Sequence, residues 1–211
     1  MPTPTPIKNK TVFLTQMAML TVIEIIFCFT IIGSIPIAGA IVATTAHLPA
    51  IVAALFFGKK AGLYMGGVMA VCSLIWWTTF GAALPSAFMF IPWAADGRGN
   101  IFSLIICIVP RVVFPFVVAW LFEKITNKFP NKRKIAGGIS GFIGTAIHST
   151  LVLGGAYLAF RWNAKMDYLY LLTIIYWAIF GAVCEITLGA IVGALAVSKI
   201  GIRKKPIGFN P

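Results

Sequence analysis

Long apolar runs separated by short polar segments are the feature that most constrains this chain. A helix needs about 20 apolar residues to cross the hydrocarbon core of a bilayer. Six runs are long enough for this, and they cover roughly residues 12–32, 37–57, 61–80, 101–122, 136–160 and 168–197. The sequence therefore predicts an all-α integral membrane protein, a six-transmembrane-helix bundle that forms a single membrane domain over residues 1–211.

The composition excludes two other classes of protein. Of the 211 residues, 60% are hydrophobic and 10% are charged. Soluble domains are about 45–50% apolar and about 25% charged, so this chain has too few charges to cover a water-facing surface. Disordered chains have the opposite balance of charge and hydrophobicity. A bilayer is the environment that this composition fits.

The distribution of basic residues predicts the orientation of the bundle. The net charge is +12, from 17 Lys and Arg against 5 Asp and Glu. Most of the basic residues lie in the N-terminal tail, in the loops that follow the second and fourth runs, and in the C-terminal tail. Cytoplasmic loops of membrane proteins carry such an excess, so we expect both termini in the cytoplasm. The charge favours contact with a membrane surface and not with nucleic acid.

A few ionisable residues lie deep inside the apolar runs: Glu24, His47, Arg111, His148 and Glu185. Such a residue costs about 2.5–3.5 kcal/mol at the centre of a membrane helix on insertion scales. The five lie at similar depths, which predicts either a polar ligand site or a set of buried pairs. In the pairing alternative, Arg111 binds Glu185 or Glu24 and fixes the bundle.

Arg111 has the context of a ligand contact. Pro110 precedes it and Pro115 follows it, and proline removes a backbone hydrogen bond and bends a helix. A planar guanidinium presents a fork of donors that suits a carboxylate. Asn100 would add an amide on the outer side. His47 stands in a similar place beside Pro49, although a core histidine bonded to a carbonyl is an equal alternative.

Aromatic residues near the outer ends of the runs predict apolar walls for such a site. Trp76 and Trp77 close the third run, and Phe88 lies in the Pro- and Gly-rich connection over residues 81–100. This connection is either a segment that closes over a ligand or an interfacial loop. The predicted substrate-binding set is therefore Arg111, Asn100, His148, Glu185, Trp76, Trp77, Phe88 and His47.

Small residues repeat at four-residue spacing in several runs, as in Ala50 and Ala54, Gly62 and Gly66, Gly137 and Gly141, and Gly189 and Gly193. This spacing lets membrane helices approach closely. Most of these faces are expected to pack the bundle itself.

Several kinds of catalytic motif do not occur in the sequence. It has no Walker A motif, no HExxH motif and no GxSxG motif. No Cys or His cluster has the spacing of metal ligands. We therefore expect no catalytic residues, no metal and no cofactor bound by this chain.

One group of residues resembles a known family. Residues 46–62, with His47, Pro49 and Gly58-Lys59-Lys60-Ala61-Gly62, are followed by Gly66-Gly67, Cys72-Ser73-Leu74 and Ile108-Val109-Pro110-Arg111. This set resembles the substrate-binding S components of energy-coupling factor (ECF) vitamin transporters. The similarity is greatest to the branch with pantothenate, riboflavin and folate members, and it covers about residues 12–197.

The resemblance implies a subunit of the prokaryotic plasma membrane that captures a vitamin from outside. It would work with a transmembrane T subunit and two cytoplasmic ABC-type ATPases, which use the ATP. The S component would rotate in the membrane to release its ligand inward. Members contact the T subunit through an AxxxA pattern in the first helix, which corresponds here to Ala18 and Val22. The second alanine is replaced, and this departs from the pattern.

The predicted function is thus vitamin capture for an importer, with pantothenate as the cargo expected from the central arginine. Riboflavin, folate and a B6-type vitamin remain alternatives within the same role. A different class is an autonomous secondary transporter that is coupled to protons through Glu24, Glu185 and the two histidines. An intramembrane enzyme is disfavoured, because the sequence shows no nucleophile and base pair.

Overall fold

The computed structural model describes residues 6–30, 32–38, 41–79, 101–160 and 168–199. In chain order, the helices and strands are α1 (Pro6–Phe29), β1 (Ser34–Ala38), β2 (Ile41–Thr44), α2 (Leu48–Phe57), α3 (Lys59–Thr79), α4 (Ile101–Lys128), α5 (Arg133–Phe160) and α6 (Tyr168–Lys199). A short 3-10 helix over Pro130–Lys132 joins α4 to α5.

Four helical segments in the described part of the chain are long and apolar enough to cross a membrane. They are Lys10–Phe29, Lys59–Thr79, Ile101–Lys128 and Pro130–Gly155. Ala182–Val197 is a further, shorter apolar helical segment within α6. These segments coincide with predicted runs. The total of six spans stays a prediction.

The predicted second span, over residues 37–57, is wrong in its first half. The strands β1 and β2 pair antiparallel as a hairpin in which Ser34 pairs with Thr44, and the register shifts between Pro36 and Ala38. Pro36 has no N–H to continue a helix, and the neighbouring Ile, Val and Thr residues favour strands. The fold is therefore not purely helical in its described part, because a small hairpin stands where continuous helix was expected.

The helix that follows the hairpin is short. α2 has 10 residues, with Pro49 in its first turn. Gly58 follows its last residue and has a φ of 84°, which favours glycine. At 1.5 Å per residue it is about 15 Å long, which is half the thickness of the hydrocarbon core. The hairpin is closed at its base by the Thr45 amide, which donates to the Gly33 carbonyl at 2.9 Å.

The helices alternate in direction so that the basic loops meet at one end. Phe13 of α1 contacts Phe57 at the end of α2, with ring centroids 5.2 Å apart. Lys59 at the start of α3 forms a 2.6 Å ion pair with Glu123 near the end of α4. We call this end of the bundle the basic end, and its described basic residues are Lys10, Lys59, Lys60, Lys124, Lys128, Lys132, Arg133 and Lys134. This grouping is what the positive-inside pattern requires, although the side of the membrane stays a prediction.

Glycines make the closest helix contacts. A Cβ on Gly137 would overlap the backbone of Gly193, and one on Gly141 would overlap the backbone of Gly189. The prediction that these pairs pack the bundle is confirmed, and they join α5 to α6.

Large apolar side chains cover the outside of several helices. They are half-exposed or more on α1, α3, α4 and α5, and they include Leu14, Met19, Val71, Ile105 and Phe142. In a protein with membrane-length helices, lipid chains cover such side chains, so their exposure is expected.

Candidate substrate-binding site

Three predicted site residues meet in the middle of the bundle. His47 precedes α2, Arg111 lies on α4 and His148 on α5, and all three are buried. The imidazole rings of His47 and His148 stack with their centroids 6.3 Å apart. Arg111 lies near His148, because it is one turn of α4 before Phe114, whose ring contacts that imidazole. The structure therefore brings two imidazoles and a guanidinium into one cluster.

Phe114 completes this cluster from α4. Its ring centroid lies 5.0 Å from that of His148 and 6.2 Å from that of His47. The Phe114 side chain is fully buried. Sequence reasoning missed this residue, because one phenylalanine inside an apolar run carries no distinguishing signal. Its position three residues after Arg111, on the same helical face, could have indicated it.

Pro110 explains how the Arg111 side chain is held. Because proline has no N–H, it cannot donate to the Ile106 carbonyl four residues earlier. Arg111 Nη1 donates to this carbonyl at 3.3 Å and to the Cys107 carbonyl at 2.8 Å. One nitrogen of the guanidinium is therefore anchored to its own helix where the proline interrupts the backbone bonds.

Pro115 has a corresponding effect on the packing of α3. It leaves the Arg111 carbonyl without its helical N–H donor. Gly66 of α3 lies against this carbonyl, and any Cβ on Gly66 would overlap it. A Cβ on Gly62, one turn earlier, would come within 2.9 Å of the Pro115 carbonyl. The glycine face of α3 thus fits against the proline-interrupted part of α4.

The charge of Arg111 is not neutralised by the expected acids. Among the described side chains, neither Glu24 nor Glu185 forms an ion pair with it. Its Nε is buried and has no hydrogen-bond partner within the described part of the chain. A buried donor without a partner costs about 1–3 kcal/mol. The described residues therefore do not contain the ion pair of Arg111 with Glu24 or Glu185 that was the alternative to a ligand site. A ligand oxygen that accepts from Nε would remove this cost.

Glu185 lies beside the cluster, at the contact between α5 and α6. The Ser149 hydroxyl donates to its Oε2 at 3.3 Å. One turn away, the Thr145 side chain packs against Gly189. Since Ser149 directly follows His148, Glu185 is held next to the α5 segment that carries the imidazole.

Glu24 is buried where α1 packs against α3. Cys28 Sγ donates to its Oε1 at 3.8 Å, and Cys72 of α3 is close enough to interact with it. Its other oxygen, Oε2, has no hydrogen-bond partner among the residues that the structure describes. Glu24 is thus associated with thiols, and the structure does not place it with the two histidines.

Two of the predicted aromatic residues lie together near the end of α3, and their role as walls of the site stays a prediction. Trp76 and Trp77 contact each other near the end of α3, with ring centroids 5.0 Å apart. Asn100 and Phe88, which were also predicted to line the site, lie outside the described residues.

The chain is similar in sequence to a known transporter. Over 132 residues the chain is 28% identical to the pantothenic acid transporter PanT of Lactococcus lactis subsp. cremoris strain MG1363. The match covers 61% of this chain and 63% of that protein, so the chain spans less than two thirds of its relative. The resemblance to a vitamin transporter is confirmed. No family model matches the chain.

The similarity to a transporter and the apolar helices both indicate a membrane protein. With four membrane-length helices among its described residues and a transporter as a relative, the chain is a multi-pass protein of the cell membrane. In that setting, a polar cluster of histidines and an arginine lies in a medium of low dielectric constant. Donors in such a medium attract an anion more strongly than they do in water.

The predicted docking residues lie on the outside of the bundle. Ala18 is exposed on α1, and Val22, one turn later, is 55% exposed. They share a helical face, because residues four apart lie one above the other. This face is open for contact with lipid or with another membrane protein.

Proposed function

We propose that this chain is the substrate-capture subunit of an ATP-driven ECF-type importer and that its cargo is pantothenate. The observation that carries this proposal is the buried Nε of Arg111, which has no acceptor within the described part of the chain. The similarity to a pantothenic acid transporter supports the choice of cargo.

The chemistry of the cargo fits the cluster. Pantothenate carries one carboxylate, together with hydroxyl and amide groups. Arg111 would bind the carboxylate through Nε, because Nη1 is already held by two backbone carbonyls. The buried Nδ1 of His148, which has no hydrogen-bond partner among the described residues, would bind a hydroxyl or an amide.

The import step is assigned to partner proteins. The sequence has no Walker A motif, so we assign ATP hydrolysis to two cytoplasmic ATPases. A transmembrane T subunit would contact α1 at the exposed face of Ala18 and Val22. Rotation of this chain against the T subunit would then release the vitamin inward.

Identification of the bound molecule tests the capture role. The full chain is purified into lipid nanodiscs, and the small molecules that copurify are analysed by mass spectrometry. Calorimetric titrations then compare pantothenate, riboflavin, folate and pyridoxine. We expect pantothenate to copurify and to bind at least 100-fold more tightly than the others, which corresponds to about 2.7 kcal/mol. Tighter binding of another vitamin would contradict the assignment.

A second candidate function follows from Glu24. This carboxyl group is buried in α1 and forms no ion pair in the described part of the chain. A carboxyl group in such a position could carry a proton in a secondary transporter. Uptake into vesicles separates the two functions. Accumulation by this chain alone under a pH gradient would favour the secondary transporter, whereas a requirement for the T subunit and ATP favours the importer.

A further inference from the structure

A row of lysines marks the end of α4 at the basic end. Trp120, Lys124 and Lys128 follow one another at four-residue spacing on α4, and Lys132 ends the 3-10 helix that follows Phe129. Residues four apart share one face of a helix. We call Trp120, Lys124, Lys128, Phe129 and Lys132 the lysine-aromatic face.

Each lysine of this face is held against an aromatic ring. Lys124 Nζ lies 4.1 Å from the centre of the Trp120 ring. Lys128 and Lys132 approach the same ring, with Nζ 5.6 Å and 5.9 Å from the centre of Phe129. These distances are in the range of cation–π contacts, which restrain flexible lysine side chains. Three ammonium groups are thus arranged around two rings.

The positive charge of this face is not compensated nearby. Glu123 is the acid that is adjacent in sequence, and it forms its ion pair with Lys59 of α3. In the part of the chain that the structure describes, Lys124, Lys128 and Lys132 form no ion pair. Arg133 and Lys134 follow directly and add to the positive charge. An anionic partner is therefore the chemistry that the face attracts.

The two aromatic rings indicate that this partner is a lipid. Trp120, two turns before the end of α4, is 38% exposed, and Phe129, directly after α4, is 47% exposed. The helix is long enough to cross the bilayer. Aromatic rings at such positions lie at the level of the lipid headgroups, and lysines extend from there toward the phosphates. A partner protein in the aqueous phase would not reach rings that lie at the level of the headgroups.

We propose that the lysine-aromatic face is a binding site for the headgroup of an anionic phospholipid. Lys128 and Lys132 would contact the phosphate oxygens from either side of Phe129, and Lys124 would contact a neighbouring headgroup from above Trp120. Because the rings hold the ammonium groups in place, we expect the site to bind anionic lipids more tightly than an ordinary basic surface does.

The test is lipid binding to the full chain in detergent, measured by native mass spectrometry. The probes are phosphatidylglycerol, phosphatidylcholine and inorganic phosphate. The variant K124Q/K128Q/K132Q is compared with K10Q/K60Q/K134Q, which removes the same charge from other positions at the basic end. We expect wild-type protein to prefer phosphatidylglycerol to phosphatidylcholine by at least tenfold. The first variant should lose this preference, and the second should keep it.

Other outcomes would overturn the proposal. Equal loss in the two triple variants would mean that net charge alone attracts the lipid. Binding of inorganic phosphate with the affinity of phosphatidylglycerol would mean that the site takes a free anion. If lipid binding is unchanged in K124Q/K128Q/K132Q while assembly with the ATPase partners is lost, the face is a protein interface. Substitution F129A should itself weaken phosphatidylglycerol binding, and an unchanged affinity would contradict the role of the ring.

Discussion

Arg111 donates a hydrogen bond of 3.3 Å from Nη1 to the carbonyl oxygen of Ile106, an oxygen to which Pro110 has no N–H to offer. The proline thus creates an acceptor inside the helix, and the neighbouring arginine uses it. One side of the guanidinium is fixed by this contact, and the buried Nε is left for a ligand.

The first prediction concerns Pro110. In P110A the new N–H competes with Arg111 for the Ile106 carbonyl, so the guanidinium loses part of its anchor. We expect pantothenate affinity to fall by about tenfold, or about 1.4 kcal/mol, while the chain remains folded. Calorimetric titration of the purified variant measures this. Unchanged affinity would show that the proline does not position the arginine.

The second prediction concerns Gly66, which lies against the Arg111 carbonyl. Substitution G66A places a methyl group into this backbone and should destabilise the fold by about 1–3 kcal/mol, as overpacking does elsewhere. The neighbouring G67A is a matched control, because a Cβ there has nothing within 4 Å. Alanine at that position favours helix and should leave the melting temperature unchanged or raise it. Equal melting temperatures for the two variants would contradict the close packing of α3 on α4.

The contact between α5 and α6 also depends on closely packed glycines. In G141A the methyl group would meet the backbone of Gly189, and we expect the melting temperature to fall. Gly154, on the same helix, has open space at its Cβ position, so G154A serves as the control. Thermal unfolding in nanodiscs compares the two. A larger loss in G154A than in G141A would mean that the helices are packed differently.

Glu24 provides a prediction about charge. Glu24 forms no ion pair among the described residues, so E24Q breaks no such pair. It keeps the shape of the side chain and the oxygen that accepts from Cys28 Sγ. We expect its unfolding free energy to change by less than about 1 kcal/mol, whereas breaking a buried ion pair costs about 3–5 kcal/mol. Chemical unfolding of E24Q and wild-type protein tests this. A loss in the higher range would reveal a charged partner of Glu24.

The sequence predicted the long helices well and one segment badly. The apolar runs near 61–80 and 101–122 correspond to α3 and α4, because length and hydropathy alone require them to be helical in a membrane. The run over 37–57 satisfied the same criterion, yet its first half contains the end of β1 and all of β2. Hydropathy does not distinguish a strand from a helix, and the signals that do were Pro36 and the β-branched residues around it.

The candidate site was predicted in part for a related reason. His47, Arg111 and His148 were found because charged or polar residues are costly at membrane depth. Trp76 and Trp77 were grouped with Arg111 by residue type, and their place in the site stays a prediction. Phe114 could not be distinguished from the many other aromatic residues until the helices were placed together.

The most direct test of the account compares pantothenate with pantothenol, the neutral alcohol in which the carboxylate is replaced. Dissociation constants of both compounds are measured for wild-type protein, R111A and the control R133A. We predict that wild-type and R133A proteins prefer pantothenate by about tenfold to 100-fold, since a hydrogen bond to a charged group contributes about 1.5–3 kcal/mol. R111A should bind both compounds weakly and equally. If R111A keeps the full preference for pantothenate, Arg111 does not bind the carboxylate and the central claim is contradicted.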